Sequence, residues 1–250
     1  IVMNHTGDVI TYNGSGKAAI PAGRQNAKNP AWLNKLSNYN NRGDVRDWND
    51  KFWAQNGDFF GLDDIKTTNQ EVIDGFAEIY SYWVNEYGVD GFRVDTAKHV
   101  DDAFLGKWWP KVLAATKVKK PNLFAFSEVF DSRQDVLSAF LRDRGLPSLL
   151  DFGFQADVIQ YAGGDGDAGN LNYVLRQDDK YTTPTRNAYN LVTFLGNHDM
   201  GRVAHLLLKN GAKTDTLLAS TLFAHDLMFL TRGTPTVYYG DEVGMIGYGG

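Results

Sequence analysis

The chain has 250 residues, enough to bury the core of one large domain; 43% of them are hydrophobic and 22% are charged. With 25 basic against 30 acidic residues, it lacks the basic excess of nucleic-acid-binding proteins, so we expect no nucleic-acid partner. It has no Cys, which excludes disulfides and thiolate metal sites, and no run of 18 apolar residues, so we expect no membrane partner.

The first quarter of the chain shows little regular patterning. Residues 1–5 have the character of the end of a buried strand, which would carry Asn4 and His5 at its tip. Residues 6–62 are rich in Gly, Asn, Asp and Trp, which is typical of a functional loop or a small subdomain. Because the chain opens within a strand and closes on Gly249 and Gly250 in a loop, we expect an internal portion of a longer protein, whose missing signal peptide says little.

The pattern turns helical from Asn69. Apolar residues recur there at spacings of three and four from Val72 to Trp83, which predicts a helix with Trp83 on its core face. Gly88 predicts its end, and a strand over residues 89–94 follows.

Strands then alternate with helices to the end of the chain. Further strands are predicted at residues 123–128, 148–152, 191–195 and 236–239. Further helices are predicted at residues 102–116, 132–143, 154–162, 168–178 and 214–230. This alternation indicates a parallel sheet with helical crossovers, the α/β class that includes the (β/α)₈ TIM barrel.

The strand over residues 89–94 ends in a charged pair. Side chains alternate along a strand, so Arg93 and Asp95 share one face while Phe92 and Val94 point into the packing. The guanidinium of Arg93 should hold Asp95 ionised, as a carboxylate nucleophile requires. Taken alone, such a pair is more often a structural ion pair that closes the strand.

Two later strands also end in carboxylates. Glu128 follows an apolar strand, which should raise its pKa and keep it protonated. Asp199 follows Asn197 and His198, where a third carboxylate could hold substrate hydroxyls and stabilise a cationic transition state. In a barrel these strand ends share one face, and two carboxyls with separated pKa values match the acid and the nucleophile of glycoside hydrolysis.

Five segments resemble the α-amylase family of glycoside hydrolases, family 13, in the family's order. They are VMNH at residues 2–5, GFRVDTAKH at 91–99, FSEV at 126–129, FLGNHD at 194–199 and RGTPTVYYGDE at 232–242. The resemblance implies a (β/α)₈ barrel that is incomplete, running from the end of strand 3 to strand 8. Residues 1–5 and 63–250 would form the barrel portion, and residues 6–62 the small domain inserted after strand 3.

The resemblance also implies a retaining mechanism on α-1,4-glucosidic bonds of starch-like glucans or malto-oligosaccharides. Asp95 would be the nucleophile, Glu128 the general acid/base and Asp199 the stabiliser of the transition state. The carboxyls of Asp95 and Glu128 would then lie about 5–5.5 Å apart. The remaining residues that would contact substrate are His5, Arg93, Lys98, His99 and His198. Of the tryptophans, Trp48 and Trp53 are candidates for stacking on sugars.

Calcium is the one cofactor that the resemblance implies. Asn4, Asp64 and the backbone carbonyl of His99 match its ligands in the family, and these are the hard oxygen donors that Ca²⁺ prefers. The segment around Asp64, GLDDIKTT, departs from the usual amylase form at Asp63 and Lys66. The alternative is a solvated acidic pair at a helix N-terminus.

Other functions stay open. A transglycosylase or an α-1,6-acting relative would share the three carboxylates, although Lys98 and His99 resemble the α-1,4 pattern. A non-catalytic sugar-binding barrel is the alternative from another class. We expect a secreted or periplasmic location.

Overall fold

The computed structural model describes residues 1–248, which form two compact units. The first unit comprises residues 1–128 and 144–146, and the second comprises residues 129–143 and the chain from residue 147 onward. The predicted loop at residues 249–250 lies outside the described residues. Among residues 1–248, no helix is both long enough and apolar enough to cross a membrane.

The first half of the first unit contains only short elements. Strand β1 (His5–Thr6) pairs antiparallel with β4 (Asp63–Asp64), so that the segment between them leaves and returns at one place. That segment holds a hairpin of β2 (Thr11–Tyr12) and β3 (Ala18–Ala19), followed by helix α1 (Lys51–Asn56). The predicted boundaries of an inserted domain at residues 6–62 stay a prediction.

The second half of the first unit confirms the alternation of helices and strands. Its elements are α2 (Gln70–Tyr87), β5 (Gly91–Val94), α3 (Phe104–Thr116) and β6 (Phe124–Ser127). Asn69 caps α2 by accepting a hydrogen bond from the backbone N–H of Glu71, and Gly88 ends the helix in a left-handed conformation. The placement of Trp83 on the core face is wrong: its neighbour Val84 is fully buried, whereas Trp83 is 45% exposed.

Strands β5 and β6 set the geometry of the candidate site. They pair in parallel, with Phe92 opposite Ala125 and Val94 opposite Ser127. Asp95 and Glu128 are the residues that follow these two strands, so both carboxyl groups emerge at the same edge of the sheet.

The second unit repeats the alternation of strands and helices. Its helices are α4 (Gln134–Asp143), α5 (Phe152–Gly163), α6 (Ala168–Arg176), α7 (Val203–Lys209) and α8 (Leu217–Leu230). Its strands are β7 (Ser148–Leu149), β8 (Val192–Phe194) and β9 (Thr234–Thr236). β8 pairs in parallel with β9, and Leu150 bridges to Val192. The last strand was predicted at residues 236–239 and begins two residues earlier.

The core of the second unit lies among α5, α6, α7 and α8. It is built of buried aliphatic and aromatic side chains, including Phe154, Val158, Leu171, Leu207 and Met228. Asp151 begins α5 by accepting a hydrogen bond from the backbone N–H of Phe154, and its carboxylate pairs with buried Arg232 at 2.5 Å. Asp178 holds the other side of the Arg232 guanidinium at 2.8 Å, so this buried cation has two carboxylate partners.

Candidate active site

The candidate active site of the first unit is built where β5 and β6 end. The backbone N–H of Glu128 donates to the carbonyl of Val94 at 2.8 Å, and Ala97 donates to the carbonyl of Glu128 at 3.0 Å. The carbonyl of Ile1 accepts from the N–H of Asp95 at 2.9 Å. These backbone bonds fix the two strand ends side by side before any side chain is considered.

Arg93 joins the two carboxyl groups. Its Nη1 donates to Oδ1 of Asp95 at 2.5 Å, and its Nη2 lies 3.0 Å from Oε1 of Glu128. The second contact is an ion pair without hydrogen-bond alignment, because Nη2 has no hydrogen-bond partner within the described residues. Phe92 and Val94 are buried on the opposite face of the strand, which confirms the predicted alternation.

The two carboxyl groups have opposite pKa shifts. Burial raises the pKa of Glu128, and the negative charge of Asp95 adds to that increase, against the lowering effects of the Thr96 N–H and of Arg93. Burial also opposes ionisation of Asp95, but hydrogen bonds from Arg93 and from the Glu128 carboxyl outweigh it, so the pKa of Asp95 is lowered. Both shifts have the predicted directions, and they favour a protonated Glu128 beside an ionised Asp95.

Thr96 connects this pair to the rest of the unit. It adopts a left-handed backbone conformation with φ of 47°, and its N–H donates to Oε2 of Glu128 at 3.1 Å. Its hydroxyl donates to Oδ1 of buried Asn4 at 2.6 Å. A β-branched residue in this conformation is strained, and such strain is found preferentially at functional sites.

An aromatic cluster contains two of the predicted substrate-binding residues, His5 and His99. The His5 ring stacks on Phe59 with centroids 5.4 Å apart, while His99 meets Phe59 and Trp48 edge-on. Nδ1 of His99 donates to the carbonyl of Ala54 at 2.8 Å, which fixes the ring. Burial is the main cause that lowers the pKa of both histidines, so both rings favour the neutral form.

Three further candidate residues, Lys98, Trp48 and Trp53, belong to the same unit. Lys98 belongs to the 3₁₀ turn Ala97–His99, directly after the β5 strand end. Trp48 is 38% exposed, and Phe60 stacks on its ring with centroids 4.9 Å apart. The ring of Trp53 is covered by the guanidinium of Arg46 at 4.4 Å.

The predicted metal ligands combine an amide, a carboxylate and a carbonyl. Asn4 and Asp64 are both buried, and β1 pairs with β4 where they lie. Burial raises the pKa of Asp64 to about 8, against one neutral hydrogen bond from Asn40 at 2.6 Å. A buried carboxylate with so little compensation fits a cation. Within residues 1–248, no group of three or more His, Cys, Asp or Glu side chains forms a metal site, so the fit depends on the amide and carbonyl oxygens.

The third predicted carboxylate belongs to the second unit. Asp199 follows β8 in a tight turn in which Oδ1 of Asn197 accepts from the N–H groups of Asp199 and Met200 at 3.0 and 2.8 Å. Nε2 of His198 lies 3.3 Å from Oδ2 of Asp199, and both side chains are about half exposed. The structure therefore brings together Asp95, Glu128 and Arg93 in one unit, and His198 and Asp199 in the other.

Two site residues are absent from the sequence prediction. Phe59, which packs on both His5 and His99, carried only the weak signal of an aromatic pair with Phe60 before a glycine. Thr96 carried no separate signal, because its contacts with Glu128 and Asn4 join residues 32 and 92 positions apart.

Comparison with known proteins gives a family match and several relatives. The family model described as "Alpha amylase, catalytic domain" matches residues 1–249. An α-amylase from Streptomyces lividans is 43% identical over 234 residues, which cover 92% of this chain and 25% of that protein. A cyclomaltodextrin glucanotransferase from Klebsiella oxytoca is 27% identical over 242 residues, which cover 86% of this chain and 35% of that protein.

A solved structure extends the likeness to the fold. The crystal structure of an α-amylase from Anoxybacillus matches with a TM-score of 0.77 at 26% identity, covering 100% of this chain and 49% of that one. This likeness supports the predicted (β/α)₈ class, while the incomplete barrel and the inserted domain stay predictions. The chain spans about a quarter to a third of the length of these curated relatives.

Proposed function

The chain belongs to the α-amylase catalytic-domain family of glycoside hydrolases, as its motifs predicted, and from this membership we propose that it is a retaining hydrolase of α-1,4-glucosidic bonds. The proposed substrates are starch-like glucans or malto-oligosaccharides. The observation that carries the proposal is the Arg93-bridged pair of carboxyls with opposite pKa shifts. Such a pair is what an acid and a nucleophile need when they act on the same bond.

In the first step, the ionised Asp95 attacks the anomeric carbon while Glu128 gives its proton to the departing glycosidic oxygen. A glycosyl ester on Asp95 forms, and the leaving chain departs as an alcohol. In the second step Glu128, now a carboxylate, takes a proton from water, which attacks the same carbon and frees Asp95.

The spacing of the pair supports the retaining course. Both carboxyls contact one guanidinium, with Nη1 of Arg93 2.5 Å from Asp95 and Nη2 3.0 Å from Glu128, which keeps the two groups close together, as a retaining pair requires. Arg93 is a positioning residue in this proposal, because it holds Asp95 ionised and turned toward Glu128.

Asp199 is proposed to stabilise the cationic transition state. His198, 3.3 Å from Asp199, is proposed to bind substrate as well. His5, His99 and Lys98 are proposed to bind substrate from the first unit, where the two neutral histidines can donate or accept hydrogen bonds with sugar hydroxyls.

Calcium is proposed as a structural cofactor. Asn4, Asp64 and the backbone carbonyl of His99 would hold it, and its charge would compensate the buried Asp64 carboxylate. The hydroxyl of Thr96 donates to Asn4 and its N–H donates to Glu128, so a metal ion that fixes Asn4 would also help to fix the Glu128 carboxyl. We also propose that residues 1–5 and 63–250 form the barrel portion around an insert at residues 6–62, and that the protein is secreted or periplasmic.

Transglycosylation is the second candidate function. It is favoured by the similarity to a protein named cyclomaltodextrin glucanotransferase, and it uses the same two carboxyls with a sugar hydroxyl replacing water. A non-catalytic sugar-binding barrel is disfavoured by the separated pKa values of Asp95 and Glu128, which binding alone does not require.

Incubation with starch, pullulan and maltotriose, followed by separation of the products, tests the proposal. Hydrolysis predicts shorter malto-oligosaccharides from starch and little product from the α-1,6 bonds of pullulan. Products longer than the supplied maltotriose would establish transglycosylation instead. The matched control is Glu128→Gln, which keeps the shape of the side chain and removes its proton. Equal product from this variant would contradict the assignment of the acid.

A further inference from the structure

The second unit contains an open groove that the proposed reaction does not use. It has a volume of about 460 Å³ and lies where α4, α5 and α6 meet the turn at residues 178–181. Ligand sites for small molecules typically measure about 300–1,000 Å³. All the residues that line it belong to the second unit, and Asp199 and His198 are not among them.

The charges of the groove balance. Arg133 and Lys180 contribute two positive charges, and Asp135 and Asp157 contribute two negative ones. Arg133 is already held by Asp131, to which its Nε and Nη2 donate at 3.0 and 2.9 Å. The two aspartates would repel an anion, and the two basic side chains would repel a cation. A neutral ligand rich in hydroxyls therefore suits this lining best.

Tyr173 supplies the aromatic surface of the groove. Its side chain is 61% exposed, although it lies on a helix whose neighbouring residues Leu171 and Val174 are buried. The buried residues anchor α6, so the ring of Tyr173 is not needed for packing and leaves an apolar face in water. A sugar ring has an apolar face of similar size that would cover it.

Polar side chains line the same groove as this ring. Asp157 is partly buried, and burial is the main cause that raises its pKa, which indicates a carboxyl that water solvates poorly. Asn170 adds an amide on α6. Gln134 is 6% exposed; its Oε1 accepts from the hydroxyl of Tyr181, while its Nε2 has no hydrogen-bond partner among residues 1–248. Because this nitrogen is itself buried, a ligand in the groove would bond Asp157 and Asn170 rather than Gln134.

We propose that this groove is a second glucan-binding site, in which Tyr173 stacks on a glucose unit while Asp157 and Asn170 hydrogen-bond its hydroxyls. The identity of the ligand rests on the proposed function, whereas the place and the composition of the groove do not. The groove would hold the protein on a polymeric substrate. Hydrolysis of a short oligosaccharide that occupies only the reaction site would not depend on it.

Two separate assays test the inference. Binding to granular starch is measured by depletion in the Glu128→Gln background, so that the starch is not digested. Hydrolysis of maltotriose is measured with Glu128 intact. The variants are Tyr173→Ala, Tyr173→Phe and, as a matched control, Tyr189→Ala, which removes a 73% exposed tyrosine of the same unit that lies outside the groove.

The expected result is specific to the ring of Tyr173. Tyr173→Ala weakens starch binding about fivefold, the loss of one aromatic contact, and leaves maltotriose kcat/KM unchanged. Tyr173→Phe and Tyr189→Ala bind starch as the parent does. The inference is overturned if Tyr173→Ala binds as tightly as the parent, if Tyr189→Ala loses as much, or if the parent does not bind starch. Absent maltotriose hydrolysis would refute the proposed function alone, because Tyr173-dependent starch binding would still support the groove.

Discussion

Replacing Arg93 by Met should move the whole pH profile of hydrolysis to higher pH. Arg93 lowers the pKa of Asp95 through a 2.5 Å hydrogen bond and lowers that of Glu128 through its charge, so its loss raises both. A charge-assisted hydrogen bond contributes about 1.5–3 kcal/mol, and one pKa unit corresponds to about 1.36 kcal/mol. The acid limb of the pH profile should therefore move upward by about 1 to 2 pH units. The side chains of Arg93, Asp95 and Glu128 are all less than one-third exposed, so solvent screening is limited.

The assay is kcat/KM for a short malto-oligosaccharide as a function of pH. Asp95 must be ionised, so its higher pKa moves the acid limb upward, and Glu128 must be protonated, so its higher pKa moves the alkaline limb upward as well. Lys120→Met is the control, because it removes a cation that pairs with the 89% exposed Asp90 and should leave both limbs in place. An acid limb that stays where it is in Arg93→Met would refute the role assigned to Arg93.

Two further predictions concern stability. Lys28→Met should lower the free energy of unfolding by about 3–5 kcal/mol in urea titrations, because it leaves the carboxylate of Asp63 buried without its cation. The exposed pair of Lys35 and Glu71 provides the control, and an equal loss in Lys35→Met would contradict this reasoning. Added Ca²⁺ at one hundred times its Kd should raise Tm by about 5–10 °C, and Asp64→Asn should abolish that rise. A Tm that is the same with Ca²⁺ and with chelator would contradict the proposed metal site.

The sequence was most informative where the regular spacing of side chains along a strand or helix determines which residues lie side by side. The alternation of side chains along a strand was enough to pair Arg93 with Asp95, and the apolar strand before Glu128 was enough to predict its raised pKa. The same local reasoning failed for Trp83. Trp83 and Val84 lie three and four positions after Tyr80, and both spacings keep a residue on the same face of a helix. In the structure Val84 is the one that is buried in the core.

Long-range contacts account for what the sequence left out. The last strand was placed too late because residues 237–239 are β-branched and aromatic, yet Tyr238 and Tyr239 lie against the guanidinium of Arg202 at 5.4 and 4.8 Å. The stacking of His5 on Phe59 joins residues 54 positions apart, and no local period encodes it. Family motifs identified the chemical groups, whereas the hydrogen bond from Thr96 to Glu128 is visible only in the folded chain.

Covalent trapping shows directly whether Asp95 is the nucleophile. A fluorinated maltosyl donor with a good leaving group should form the glycosyl ester and release it slowly, and peptide mass spectrometry would locate the added sugar. We expect one added maltosyl group on the peptide that contains Asp95, and none in Asp95→Asn. A sugar attached to another residue, or Asp95→Asn that still hydrolyses maltotriose at the rate of the parent, would contradict it.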